Sequence, residues 1–158
     1  MIKIVAVGRI KEKAMKDLIA EYGKRLSAYT KFEIEEVSDE PTLQNNSQSQ
    51  NDGVKLKEGE RILSRIKEKE YVILLYLKGR MMDSVAFSEK MNDLYTEGHS
   101  DLTFVIGGSL GVSEDVKKRA DLLWKLSDLT FPHQLVRLIL TEQIYRAYKI
   151  LRKEPYHK

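Results

Sequence analysis

Apolar and polar positions follow two different periods along this chain, and each change of period marks an element. Ile2 to Val7 (IKIVAV) is mostly β-branched and apolar and is broken by Gly8, the pattern of a buried strand. From Lys11 to Tyr29, apolar residues fall at Met15, Leu18, Ile19, Tyr22, Leu26 and Tyr29, which fits one face of a helix. Phe32 to Val37 (FEIEEV) alternates as a second strand. Ser38 to Gly53 is rich in amides and serines and has little to bury, so a mobile loop is predicted over 38–53. Helical spacing resumes from Val54 to Ile66 through Leu56, Ile62, Leu63 and Ile66. Tyr71 to Leu77 (YVILLYL) is the most continuous apolar run and predicts a central strand, punctuated by Lys78-Gly79-Arg80.

A helix is then predicted over Ser84 to Tyr95 with Ser84 as its N-cap, and another strand over Leu102 to Ile106. Ser113 followed by Glu114 and Asp115 suits a capped helix start beside a positive dipole. Leu122 to Leu126 is a short apolar stretch. Pro132 stands where a last helix can begin, and His133 to Arg152 runs without Gly or Pro. Strand and helix patterns alternate throughout, which predicts one α/β domain over residues 1–158 with a largely parallel sheet and no internal repeat. The last helix carries apolar residues on more than one face, including Leu138, Ile139, Ile144, Tyr148 and Leu151. It is therefore either an interface element or a helix central to the core.

Composition adds exclusions. The 158 residues are 42% apolar and 32% charged, as expected of a globular domain. A formal net charge of +3 permits an RNA partner without announcing one. The absence of cysteine excludes disulfides, thiolate zinc sites and a cysteine nucleophile. The amino-terminal apolar run is too short for a signal peptide or a membrane span, so a cytoplasmic protein without a membrane partner is expected.

Candidate chemistry begins at Phe104 to Asp115, FVIGGSLGVSED, where a strand runs into a glycine loop and then a helix start. A Walker loop needs Gly-Lys-Ser/Thr, and here Gly111 is followed by Val112 and Ser113. A dinucleotide fingerprint needs G-x-G-x-x-G, and GGSLG has the wrong spacing. The glycines allow close backbone approach to a ligand, or simply a tight connection. A second cluster is SDLTFPHQLVRLILTEQIYRAYKI, Ser127 to Ile150, which carries His133, Arg137, Glu142 and Arg146. Glu142 and Arg146 are spaced to pair on a helix surface, and His133 equally suits a packing role at the helix start. The last residues, Tyr156-His157-Lys158, are either a frayed end or an aromatic face, imidazole and cation suited to stacking on a base and gripping its backbone.

Together, VIGG-S-x-G, S-x-x-TFPHQLVR, EQ-YRA-KI-R and the terminal YHK resemble the ribosomal RNA large-subunit methyltransferase H family of the SPOUT class, as do IVAVGRIKEK, EGERIL at Glu58 to Leu63, and YLKGR. The resemblance spans essentially the whole chain. It implies an S-adenosylmethionine-dependent enzyme that methylates N3 of a pseudouridine in helix 69 of 23S rRNA on assembled ribosomes. It also implies a homodimer and a carboxy-terminal trefoil knot, a feature otherwise rare among folds. No metal is expected.

Carried over residue by residue, the resemblance implies cofactor binding by Tyr76, Gly108 and Ser127, Asp128, Leu129, Thr130, Phe131 and Pro132. Leu77, Gly79, Gly107 and Gly111 belong to the same three loops, and adenine is expected among Leu77, Leu129, Phe131 and glycine backbone. Methylating a uracil-type N3 requires a proton acceptor, for which His133, Glu142 and His157 are candidates. It also requires stabilisation of negative charge on O2 and O4, for which Arg137 and Arg146 are candidates. His157 is favoured as the base, with Tyr156 beside it, and a purely positioning role for the tail stands as the equal reading. The alternatives are a non-catalytic RNA- or ribosome-binding protein, and a small-molecule enzyme whose tail is disordered.

Overall fold

A computed structural model describes all residues, 1–158. In chain order the elements are β1 (Ile2–Val7), α1 (Lys13–Leu26), β2 (Phe32–Val37), α2 (Gln48–Leu63) and β3 (Tyr71–Met81). They continue with α3 (Ser84–Thr96), β4 (Leu102–Ile106), α4 (Glu114–Arg119), β5 (Leu122–Lys125) and α5 (His133–Leu151). The five strands form one sheet in the order β2-β1-β4-β3-β5, and every pairing is parallel.

Period-two burial on both faces explains why the central strands read as continuous apolar runs. Ile2, Ile4 and Ala6 of β1 join Leu102, Phe104 and Ile106 of β4 on the face covered by α1, α3 and α5. Val5 and Val7 join Val105, Val72 and Leu74 on the face covered by α2 and α4, which contribute Ile62 and Val116. Trp124 of β5 is buried on the first face and stacks on Phe87 with ring centroids 4.3 Å apart. α5 packs against both α1 and α3 and buries Leu140, Thr141, Ile144, Ala147 and Tyr148. Ile144 and Tyr148 are accounted for by this central position, while Leu138, Ile139 and Leu151 remain partly exposed.

Several sequence expectations need correction. The segment 38–53 is not one loop: α2 starts at Gln48, where Ser47 accepts from the Gln50 amide and the Gln50 side chain answers to the Ser47 amide. A capping box of this kind offsets poor apolar content in a first turn, leaving a connector of residues 38–47. Asp83, not Ser84, caps α3 by accepting from the Ala86 amide. β3 does not end at Leu77 but runs on to Met81.

The charged residue inside IKIVAV also has a structural answer. Lys3 is almost fully buried at the amino edge of the sheet, with Nζ 2.9 Å from Glu70 Oε1 and 2.5 Å from the Arg65 carbonyl. The Thr103 hydroxyl donates to Glu70 Oε2 at 2.9 Å. One carboxylate thus ties β1 to β4 just ahead of β3. Arg119 closes the same corner by donating to the carbonyls of Lys67, Glu68 and Glu70. Burial pushes the Glu70 carboxyl up, but the Lys3 and Thr103 hydrogen bonds more than reverse this and hold it below its ordinary value. Its folded pKa being depressed, the stability it contributes is present above the unfolded carboxylate pKa and is lost as pH falls through the folded one. Lys3→Met should therefore lower the unfolding free energy by about 3–5 kcal/mol at neutral pH, because it strands a buried carboxylate. In urea titrations the deficit should shrink as pH falls below the ordinary carboxylate range and through the depressed folded pKa, as that carboxylate becomes protonated in folded and unfolded protein alike.

Candidate active site

β3 and β4 are neighbours in the sheet, yet the helices that follow them lie on opposite faces, α3 with α1 and α5, and α4 with α2. A crevice must open between their carboxyl ends, which is where ligands of open α/β sheets bind. Its shape is set by an irregularity in β3. Ile73 to Leu75 pair with Leu122 to Trp124, then the register slips, and Arg80 and Met81 pair with Trp124 and Lys125. Residues 76–79 are left out of the ladder and bow away from it. Gly79 allows this, because a Cβ there would lie 2.6 Å from the Leu123 carbonyl carbon and 2.8 Å from the Trp124 amide nitrogen.

The crevice is a cavity of about 290 Å³. Its walls come from three loops: Leu75 to Leu77 of the β3 bulge, Gly107 to Val112 after β4, and Lys125 to Phe131 after β5, closed by His133 and Val136 of α5. Of the residues expected at a cofactor, Tyr76, Leu77, Gly107, Gly108, Gly111, Ser127, Leu129, Thr130 and Phe131 line it. Gly79, Asp128 and Pro132 do not: Gly79 supports the bulge from behind, Pro132 is the N-cap position of α5, and Asp128 faces out to pair with Lys125 at 2.5 Å. The glycine loop turns on Gly111, whose φ is +94°, and whose amide donates back to the Gly108 carbonyl at 3.0 Å. Ser127 Oγ accepts from the Leu129 amide at 3.0 Å and folds the third loop.

These walls fit S-adenosylmethionine better than a nucleotide phosphate. They are predominantly apolar, and Lys125, the one lysine or arginine among them, is already tied to Asp128. The Tyr76 ring is held by Lys117, whose Nζ lies 5.0 Å from its centroid, and Lys117 is in turn fixed by Glu114.

A residue that sequence reasoning left out of the site stands directly behind this wall. Glu58 of α2 is buried and its Oε2 accepts from the Glu40 amide at 3.0 Å, while Oε1 has no partner. A Cβ on Gly108 would fall 2.5 Å from that Oε1, and one on Gly59 would fall 2.4 Å from Ser113 Oγ. Two adjacent residues of α2 thus press on the two ends of the glycine loop. Burial raises the Glu58 carboxyl above its ordinary value, and the Glu40 amide and Arg61 offset this only in part. The signal in the sequence was the Glu-Gly pair in a helix, where glycine costs about 1 kcal/mol relative to alanine and calls for a packing reason.

The candidate proton-transfer groups divide into two places. His133 is exposed at the pocket. Arg137 is buried and committed elsewhere, to Glu36 at 2.5 Å and the Gly8 carbonyl at 3.2 Å. Glu142, Arg146, Tyr156 and His157 form a cluster farther along α5. Glu142 Oε1 accepts from Arg146 Nε and Nη2 at 3.0 and 2.7 Å and from the Tyr156 hydroxyl at 3.0 Å; its Oε2 accepts from Gln143. Arg146 lies over the Tyr156 ring, 4.7 Å from the centroid, and its Nη1 is 3.1 Å from His157 Nδ1. Tyr156 meets Tyr145 edge to face at 5.0 Å. The tail is therefore docked rather than frayed. Burial and the bonds to Tyr22 and Glu142 raise the Tyr156 pKa, so its hydroxyl remains a donor. Thirteen residues separate His133 from Arg146, a rise of about 20 Å along the helix. Within this chain the tail cluster is not at the pocket.

Gly79→Ala is expected to cost about 1–3 kcal/mol in chemical unfolding, since backbone rather than a side chain must yield. The same variant should weaken ligand binding in calorimetry, because Tyr76 and Leu77 hang from the bulge it disturbs.

Comparison with known proteins agrees with this architecture. Residues 1–157 match the family described as "Predicted SPOUT methyltransferase". Proteins named ribosomal RNA large subunit methyltransferase H align with nearly the whole chain. The one from Streptococcus mutans serotype c is 52% identical over 157 residues, covering 99% of each chain. That from Lactobacillus delbrueckii subsp. bulgaricus is 56% identical with the same coverage. That from Desulfitobacterium hafniense is 55% identical, covering 99% of this chain and 98% of its own. With a parallel sheet, a glycine loop and a ligand crevice at the carboxyl ends of β3, β4 and β5, this chain belongs to the SPOUT methyltransferase family.

Proposed function

We propose that this protein transfers a methyl group from S-adenosylmethionine to large-subunit ribosomal RNA, at N3 of a pseudouridine in helix 69 of 23S rRNA within the assembled ribosome. The observation that carries the cofactor half of this reading is the three-loop crevice, apolar and glycine-lined, with its single lysine already neutralised. The full-length alignment to relatives named as large-subunit methyltransferases supports the RNA half.

When bound, S-adenosylmethionine supplies a methyl group activated by its sulfonium. The chain's part is to hold and orient. Leu77, Leu129 and Phe131 would flank the cofactor's adenine, the Gly107 to Gly111 backbone would allow close approach, and the crevice walls would limit water. His133, which lines the pocket, is the group we assign to meet an acceptor proton. The docked tail offers a ring face, an imidazole and cations for an RNA base, but some 20 Å along α5. Either the tail moves or a second copy brings its own tail to the pocket. The exposed side chains of Leu77, Met81, Val85 and Leu129 favour the second arrangement, an apolar surface suited to a homodimer. No helix is long and apolar enough to cross a membrane.

Calorimetric titration should show micromolar or tighter binding of S-adenosylmethionine, and sedimentation at micromolar concentration should show a dimer. A protein that binds ribosomes without binding S-adenosylmethionine would instead be a non-catalytic binding module. Deleting Tyr156 to Lys158 should lower single-turnover methylation of ribosomes by about a hundredfold or more, through lost stacking and positioning, while leaving S-adenosylmethionine affinity within about twofold. His157→Ala should flatten the rate–pH profile near neutrality if His157 accepts the proton, and lower it uniformly if it only positions.

A further inference from the structure

Glu58 has an oxygen with no hydrogen-bond partner, and it sits where ionisation is costly. Its side chain is 4% exposed, yet Oε1 is unpaired while Oε2 is used by the Glu40 amide. The unpaired oxygen is not at a random spot in the core. It lies against Gly108, close enough that a Cβ there would be 2.5 Å away, and Gly108 lines the cofactor crevice. The carboxyl is thus one backbone's thickness behind the wall. A glutamine would fill the same space, accept the same Glu40 amide and avoid the burial of a charge.

Surrounding charges offset it only in part. The 38–47 connector presents Asp39 and Glu40, both acidic, and Glu40 is paired with Arg61, which also donates to the Ser38 carbonyl. On α4, Glu114 pairs with Lys117, and on β2 Glu35 pairs with Arg65. The segments of β1 and β4 packed beside it in this layer are apolar: Val5, Val7 and Val105. Among the crevice residues the one lysine is cancelled by Asp128. The wall of the crevice at the glycine loop is therefore backed by a carboxyl group that Arg61 and the Glu40 amide offset only in part.

We propose that Glu58 is a specificity-determining residue that favours the cationic cofactor over its neutral-sulfur product through the glycine loop. This rests on the cofactor reading above. S-adenosylmethionine and S-adenosylhomocysteine share the same ammonium, carboxylate and adenosine, and differ in the methyl group and the sulfonium charge. A carboxylate behind Gly108 attracts that charge and adds nothing for the thioether. It would thus limit product inhibition without touching either ligand. By linkage, binding the cation favours the ionised carboxylate, so preference for it must fall as pH drops through the Glu58 titration.

Calorimetric titration of both ligands against the wild-type protein and Glu58→Gln, from pH 5 to 8, tests this. The expected result is a dissociation-constant ratio, S-adenosylmethionine over S-adenosylhomocysteine, that rises on the order of tenfold in Glu58→Gln at pH 7.5. In the wild type the same ratio should rise toward pH 5, and in the variant it should stay flat. Should Glu58→Gln fold poorly, the wild-type pH dependence alone decides. An unchanged ratio in a folded variant, a pH-independent wild-type ratio, or an equal loss of both ligands overturns the proposal and leaves Glu58 a structural residue. Those outcomes leave the cofactor site standing; failure of the wild type to bind either ligand overturns both.

Discussion

The backbone-on-backbone contact of β3 with β5 at Gly79 is the constraint from which the rest of the site follows. Two parallel strands ordinarily keep one register to their ends. Here they part after Leu75 and meet again at Arg80, with Gly79 against Leu123 and Trp124. The detour pushes Tyr76 and Leu77 out as one wall of a crevice, and re-pairing aims the chain after Lys125 across the same opening as another. The glycine loop after β4 supplies the third. Had β3 stayed regular, those side chains would have alternated across the two packed faces, and the crevice would have had two walls.

The two edges of the sheet divide the work. At the amino edge, Lys3, Glu70 and Thr103 satisfy one another in a buried network that joins strand starts, and Arg119 closes it from the rim. At the carboxyl edge, Glu58 keeps a bare oxygen behind the glycine loop, and His133 stands exposed at the crevice. Polar groups that are fully paired fix an arrangement, and one left unpaired in a dry interior is costly and calls for a reason. The tail cluster is intermediate, because Arg146, Glu142, Tyr156 and His157 satisfy one another on the flank of α5 in the absence of RNA.

Most of the fold was legible from hydrophobic period alone. β1, β2 and β4 begin and end where the pattern changes, and the Ser113 cap is where Ser-Glu-Asp put it. What escaped was non-local. The 48–53 turn has almost no apolar residue, and its helix depends on a capping box and on Glu58 and Gly59 being anchored further along. Lys78-Gly79-Arg80 read as the end of a strand because glycine usually is one, while here it is the residue that lets another strand cross. In the site, the loops were identifiable by motif, whereas the fate of Arg137 was not. Its spacing on α5 gave no hint that it would be spent on Glu36 and Gly8.

Trp124 is the only tryptophan in the chain, and it sits at the crossing. Its indole is 2% exposed, stacked on Phe87, and its Nε1 lacks a partner. It also borders a second cavity that shares Leu126, Ser127 and Phe131 with the cofactor crevice. The molecule thus carries a built-in optical reporter, a single buried tryptophan that can be excited apart from the tyrosines and whose emission responds to the crossing of β3 and β5. Light collected at one wavelength follows both the integrity of the sheet edge and the state of the crevice beside it, with no label attached.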